Sequence, residues 1–131
     1  MPYLLDTNIC IEYLRGKNVP LRERMKAMSP ADVFICSIVL AELYAGANKS
    51  NDPPRNVQLI EAFVRDIASL PFDDACARAF GQLKADLERQ GTVIGPYDMQ
   101  IAAIGLTHGL TVVTHNVNEF ARVTGLHVID W

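Results

Sequence analysis

The amino-acid sequence predicts a three-layer α/β domain, a parallel sheet with helices on both faces. Three observations carry that expectation. Tyr3-Leu4-Leu5, Val33-Phe34-Ile35-Cys36 and Leu110-Thr111-Val112-Val113-Thr114 are short apolar runs of strand length. Segments with helical spacing of apolar residues separate them. The chain has 131 residues, 50% of them apolar, which suits one domain burying one core without disulfide or metal staples.

The first strand ends at Asp6, and a helix over Thr7 to Leu14 stops near Gly16. A charged helix follows over Val19 to Met28, with Pro20 tolerated in its first turn. Ser29-Pro30 breaks it before the second strand. Ser37 is a suitable N-cap for a helix over Ile38 to Ala47. Asn48 to Pro54 is a polar, proline-rich loop. Arg55 to Ala68 is an amphipathic helix with Leu59, Ile60, Phe63, Val64 and Ile67 on one stripe. A short strand is expected at Ser69-Leu70-Pro71. Asp73 opens a helix to about Gln90 whose inner face carries Cys76, Phe80, Leu83 and Leu87. Gly91 to Pro96 is a loop, and Asp98 opens a helix over Met99 to Thr107 that His108-Gly109 closes. After the Leu110–Thr114 strand come a turn or single helical turn over Asn116 to Phe120 and a final strand at His127-Val128-Ile129.

No apolar stretch is long enough to cross a bilayer, and the N-terminal segment lacks the features of a signal peptide, so a cytoplasmic protein is expected. Cys10, Cys36 and Cys76 are odd in number, widely spaced and set in apolar surroundings. They read as small buried hydrophobes, not as a zinc or redox motif. The net charge of −3 counts against a broadly nucleic-acid-binding surface. Five of the 12 basic residues are nevertheless concentrated in one segment: Arg15, Lys17, Arg22, Arg24 and Lys26. The segment fits either a solvated helix face or a local patch that meets phosphates.

The acids carry the chemistry. In an open parallel sheet, ligands bind at the carboxyl ends of the strands where the strand order reverses. Asp6 ends the first strand, Glu42 lies in the helix after the second, and Asp98 begins the helix before the third. Asn116 and Glu119 follow that third strand. Singly, each has a plain structural reading: Asp6 and Asp98 as helix caps, Glu42 as an exposed helical residue. Their flanks argue otherwise. Val39-Leu40-Ala41 and Leu43-Tyr44 hem in Glu42, and Met99, Ile101, Ala102 and Ala103 follow Asp98. A carboxylate in such apolar helices is costly unless paired or bound to a metal. Clustered carboxylates repel, and a hard divalent cation relieves them. Oxygen ligands without His or Cys select Mg²⁺ or Mn²⁺, ions suited to phosphodiester cleavage.

Four segments together resemble the PIN-domain ribonucleases, and among them the VapC-type toxins of type II toxin–antitoxin systems. They are Leu4-Leu5-Asp6-Thr7-Asn8-Ile9, Ser37 to Ala47 around Glu42, Gly95-Pro96-Tyr97-Asp98 to Ala103, and Val112 to Phe120. The resemblance spans the chain and implies a single PIN-like α/β/α domain over residues 1–131 with a mostly parallel five-stranded sheet. It implies an Mg²⁺- or Mn²⁺-dependent endoribonuclease whose metal ligands are Asp6, Glu42 and Asp98. The family often has a fourth acid where this chain carries Asn116, and Glu119 resembles its substitute. A second ion would then lie near Asp6, Asn116 and Glu119. Thr7, Asn8 and Thr114 match positions that support the carboxylates, and local capping is an equal reading for Thr7. His115 reads as an exposed loop residue instead of a general base. Arg15, Lys17 and the neighbouring bases would track the RNA backbone.

The resemblance also implies partners. One is a VapB-like antitoxin whose C-terminal tail covers the acidic pocket, commonly with an Arg. Another is a second copy of the chain, paired through apolar surface from Ile38 to Tyr44 and Leu59 to Ile67. Members similar to this chain cut structured RNA, some of them the anticodon loop of initiator tRNA, and so inhibit translation. Two other classes compete. A catalytically impaired PIN-like binding module is kept open by Asn116. A Mg²⁺-dependent phosphotransfer domain fits poorly: Asn8 stands where a dehalogenase-like phosphatase needs its second Asp. Asp73-Asp74 come too late, and no Lys follows Lys84, for a response-regulator receiver.

Overall fold

A computed structural model describes residues 2–131. Five strands form one sheet: β1 (Tyr3–Leu5), β2 (Val33–Cys36), β3 (Ala68–Leu70), β4 (Thr111–Val113) and β5 (Val128–Ile129). Their order is β3-β2-β1-β4-β5, and every pairing is parallel. Seven helices cover the sheet in a three-layer α/β/α arrangement: α1 (Thr7–Arg15), α2 (Val19–Ala27), α3 (Ser37–Asn48), α4 (Pro53–Val64), α5 (Asp74–Gln90), α6 (Pro96–His108) and α7 (Val117–Phe120). The expected fold class holds. No described helix is long and apolar enough to cross a membrane.

Local chemistry sets most boundaries. The Asn18 side chain accepts from Leu21 N–H at 3.0 Å to start α2, and Asp73 accepts from Cys76 N–H at 3.0 Å to start α5. Gly91 and Gly109 end α5 and α6 with φ of 68° and 64°, a conformation open to glycine without strain. Three boundaries differ from the sequence reading. The helix expected from Arg55 to Ala68 begins at Pro53, because Asp52 caps it and Pro-Pro fits a first turn. It ends at Val64, since Ala68 pairs with Phe34 in β3. That strand therefore starts one residue before Ser69 and stops before Pro71, which has no N–H to give the ladder. Ser37 does not cap α3. It is the first helical residue, and its hydroxyl donates to the Leu70 carbonyl at 3.2 Å.

The core lies around β1 and β4. Leu4, Leu5, Val112 and Val113 are fully buried, with Ile9, Ile35, Val39 and Phe120 around them. Helix α6 is buried over Met99 and Ile101 to Gly105, so it runs through the interior instead of along one face. A Cβ at Gly105 would stand 3.1 Å from Val112 and 3.2 Å from Leu126, so glycine lets α6 lie close to β4. All three cysteines are buried and unpaired, and burial pushes the Cys36 thiol up to about 11.

Candidate active site

The strand order reverses between β1 and β4: β2 and β3 extend the sheet on one side, β5 on the other. This is the topological switch point, and the candidate residues collect at its carboxyl end. Asp6 continues β1 through its own N–H, which donates to the Val113 carbonyl at 2.9 Å. It then caps α1. One carboxylate oxygen accepts from Thr7 N–H at 2.8 Å, and the other accepts from the Thr114 hydroxyl at 2.7 Å. Thr114 is fully buried, and its oxygen also accepts from Asn116 N–H at 2.9 Å. The Thr7 hydroxyl does not serve as a local cap. It donates to Glu42 at 2.9 Å and ties α1 to α3.

Asp98 is the third residue of α6, not its opener, because Pro96 takes the first position. In that first turn the helix dipole favours a carboxylate. The Asn116 amide donates to Asp98 at 3.4 Å. Burial, followed by the charges of Asp6, Glu119 and Glu42, pushes the Asp98 carboxyl up to about 6, against the Asn116 hydrogen bond. Burial also raises Asp6, opposed by the hydrogen bonds from Thr114 and Thr7 and by the charge of His115. Asp98 therefore feels three other acids, Asp6, Glu119 and Glu42. Among the described residues no three of the His, Cys, Asp and Glu side chains close into a metal-ligating group. Thr7, Thr114 and Asn116 hold the carboxylates as separate arms. The arrangement is short of positive charge, and its donors are oxygens alone, which fits a hard divalent cation.

Asn8 stands next to this cluster, and its side-chain oxygen is buried without a hydrogen-bond partner. The basic residues separate. Arg15 and Lys17 border a groove with Asn8, Ile11, Glu12, Asn18 and His115. Arg22 turns inward to the Gly16 carbonyl, where it helps end α1. Arg24 lies over the Trp131 ring at 5.6 Å, and Tyr3 meets the same ring edge-on at 5.1 Å. Lys26 lines a different hollow, with Tyr13, Met28 and Phe63.

One set of residues was missed in the sequence. His115 is exposed, as expected of a loop residue, but it is not free. Its Nδ1 meets Asp130 at 2.6 Å, its Nε2 meets Glu12, and the Asn18 amide donates to the other Glu12 oxygen at 2.7 Å. Burial lowers the imidazole's affinity for a proton, but the two carboxylates outweigh it and raise the pKa overall. The partners lie 103 and 15 residues away in sequence, so no local pattern reveals the clamp.

An apolar groove between α1, α3 and α4 reaches the cluster at Glu42. Leu14, Leu43 and Ile60 line it, flanked by Ile11 and Leu59, which are 37% and 45% exposed. On the other side of Glu42, Ile38, Ala41, Ala45 and Tyr97 form a second hollow.

Comparison with known proteins agrees with this architecture. The PIN domain family model matches residues 3–126. The tRNA(fMet)-specific endonuclease VapC of Shigella flexneri is 44% identical over 131 residues, covering 100% of this chain and 98% of that relative. The DNA-bound VapBC structure from Salmonella typhimurium superimposes with a TM-score of 0.94 at 40% identity, covering 100% of this chain and 98% of that one. The VapBC2 structure from Rickettsia felis, bound to a promoter DNA fragment, gives 0.92 at 31% identity, covering 100% and 99%. With its sheet order, its acids at the switch point and its whole length matched, this chain belongs to the PIN domain family, among the relatives named VapC.

Proposed function

We propose that this chain is a divalent-metal-dependent endoribonuclease and the toxin of a toxin–antitoxin pair. Its substrate is structured RNA, with the anticodon loop of initiator tRNA as the leading target. One observation carries the reading: at the switch point, burial and then the charges of Asp6, Glu119 and Glu42 push the Asp98 carboxyl up to about 6. A carboxylate both buried and crowded by like charges costs the fold stability and is useful where a cation relieves it.

Asp6, Glu42 and Asp98 would hold the Mg²⁺ or Mn²⁺, with Glu119 and the Asn116 amide oxygen beside a second position. When bound, the ion supplies positive charge that polarises a phosphoryl oxygen and eases proton loss from an attacking water. The chain's own residues do the rest. Thr114 and Thr7 fix the Asp6 and Glu42 carboxylates through their hydroxyls. Arg15 and Lys17 meet backbone phosphates beside the cluster. Attack of water on phosphorus with loss of the 3′ oxygen leaves a 5′-phosphate and a 3′-hydroxyl.

The partners follow from the surface. The groove from Ile60 and Leu59 to Glu42 suits an apolar antitoxin segment whose last residues deliver a cation to the carboxylates. The VapBC assemblies to which this chain is similar favour such a partner. The apolar face around Ile38, Ala41 and Tyr97 suits a second copy of the chain. Light scattering on the purified chain should then give twice the monomer mass.

The test is cleavage of total tRNA and ribosomal RNA by the chain freed of antitoxin. Mg²⁺, Mn²⁺ and excess chelator are compared, with Asp6→Ala alongside. Discrete metal-dependent fragments that vanish in the variant are expected. RNA binding without cleavage under any metal would make the chain a binding module instead, the reading that Asn116 keeps open.

A further inference from the structure

We infer that the groove beside the acidic cluster holds one unstacked nucleotide of the RNA, with the His115 imidazole as its stacking platform; this rests on the ribonuclease reading above. The groove encloses about 750 Å³ and is lined by Asn8, Ile11, Glu12, Arg15, Lys17, Asn18 and His115. It adjoins the cluster on two sides. Asn8 follows Thr7, which holds Glu42, and His115 sits between Thr114 and Asn116, which hold Asp6 and Asp98.

The hydrogen bonds decide what the ring can offer. Both imidazole nitrogens are engaged within the chain, by Asp130 and Glu12. No nitrogen remains to donate to or accept from a ligand. With both nitrogens committed, what the side chain, 34% exposed, has left to offer a ligand is its ring face and carbon edge. Two tethers immobilise that surface in advance, so a ligand does not have to order it. Glu12 is equally committed, one oxygen to Asn18 and one to His115.

The cations differ. Among the described residues the Arg15 and Lys17 side chains have no ion pair or hydrogen bond. Ile11 adds an exposed apolar wall. A fixed aromatic face, an apolar neighbour and two free cations next to a phosphodiester-cleaving centre suit a base and its flanking phosphates. A base can enter only when splayed from its neighbours, so the groove favours loops over duplex. It thereby offers a physical basis for choosing a bond within a structured RNA.

The test uses full-length chain carrying Asp98→Asn, so that RNA is bound without being cut. The probe is a stem–loop RNA in which each loop base in turn is replaced by a fluorescent adenine analogue that stacking quenches. One loop position, next to the cleaved bond, should be quenched on binding. Adding His115→Leu should abolish that quenching and weaken binding roughly ten-fold. Adding His115→Phe should retain it. Both substitutions break the contacts to Glu12 and Asp130, so urea unfolding of each variant is measured alongside, and both should keep the fold of the parent chain. Quenching that survives in the Leu variant, disappears in the Phe variant, or falls on no single position overturns the inference. If the unsubstituted chain cleaves RNA under those outcomes, the ribonuclease reading stands without this subsite. If it neither binds nor cuts RNA, both readings fall.

Discussion

The Thr114 hydroxyl donates a 2.7 Å hydrogen bond to the carboxylate of Asp6, joining the ends of two neighbouring parallel strands across 108 residues of sequence. Thr114→Val keeps the volume and deletes the donor. One buried carboxylate oxygen then loses its partner, which costs about 1–3 kcal/mol. Urea unfolding of the metal-free chain should show that loss. An NMR titration should show the Asp6 carboxyl raised further, because the deleted bond favours its charged form.

Asp98 predicts an inverted pH dependence of stability. Its folded carboxyl titrates at about 6, above the unfolded value near 3.8. Between those values the folded chain binds a proton that the unfolded chain does not. Metal-free protein should therefore grow more stable as pH falls from 7 towards 5, in the contribution that belongs to this residue. Asp98→Asn should flatten the rise and stabilise the chain at pH 7. Urea midpoints across that range for both proteins decide the matter, and equal pH slopes would defeat it.

Mn²⁺ or Mg²⁺ should relieve the same repulsion. Each is expected to raise the melting temperature at pH 7, and excess chelator should reverse the gain. Asp6→Ala should lose most of the increase. An undiminished shift in that variant would move the metal away from the switch point.

Asn116→Asp is expected to act in opposite directions with and without metal. It exchanges the amide donor, 3.4 Å from Asp98, for a like charge. The metal-free variant should be less stable, with Asp98 titrating higher still. Mn²⁺ affinity should increase, because a carboxylate binds a hard cation better than an amide. Calorimetric titration paired with thermal unfolding reads both signs.

The basic segment should divide under mutation. Arg24→Ala removes the cation over Trp131 and should cost about 0.5–1 kcal/mol of stability. Arg15→Ala and Lys17→Ala should leave stability within about 0.5 kcal/mol. They should weaken RNA binding instead and flatten its dependence on salt. Equal effects of all three on RNA affinity would restore a single phosphate-binding patch.

The parallel sheet and the gathering of the acids were legible because strand ends and helix starts follow local rules. Asp6 ends an apolar run, and Asp98 precedes an apolar helix. The errors fell where tertiary contacts override periodicity. Ile67 continues the stripe of α4, but Ala68 is taken by Phe34 of β2, so the helix stops early. Ser37 has a capping side chain that is spent on Leu70. Arg24 sits in a basic run, but its neighbour is Trp131 at the opposite end of the sequence. The clamp on His115 could not be read at all, because Glu12, Asp130 and Asn18 become neighbours only in the folded chain.

The central place of β1 has a consequence for biosynthesis. The strand that carries the first acid leaves the ribosome early, but its partner β4 and the threonine that grips the acid are made 108 residues later. At roughly 5–20 residues per second, Asp6 waits several seconds for Thr114. A nascent or truncated chain lacking β4 thus has Asp6, Glu42 and Asp98 but neither the strand beside β1 nor the Thr114 hydroxyl that holds Asp6. The site at the switch point is therefore complete only when translation is nearly finished.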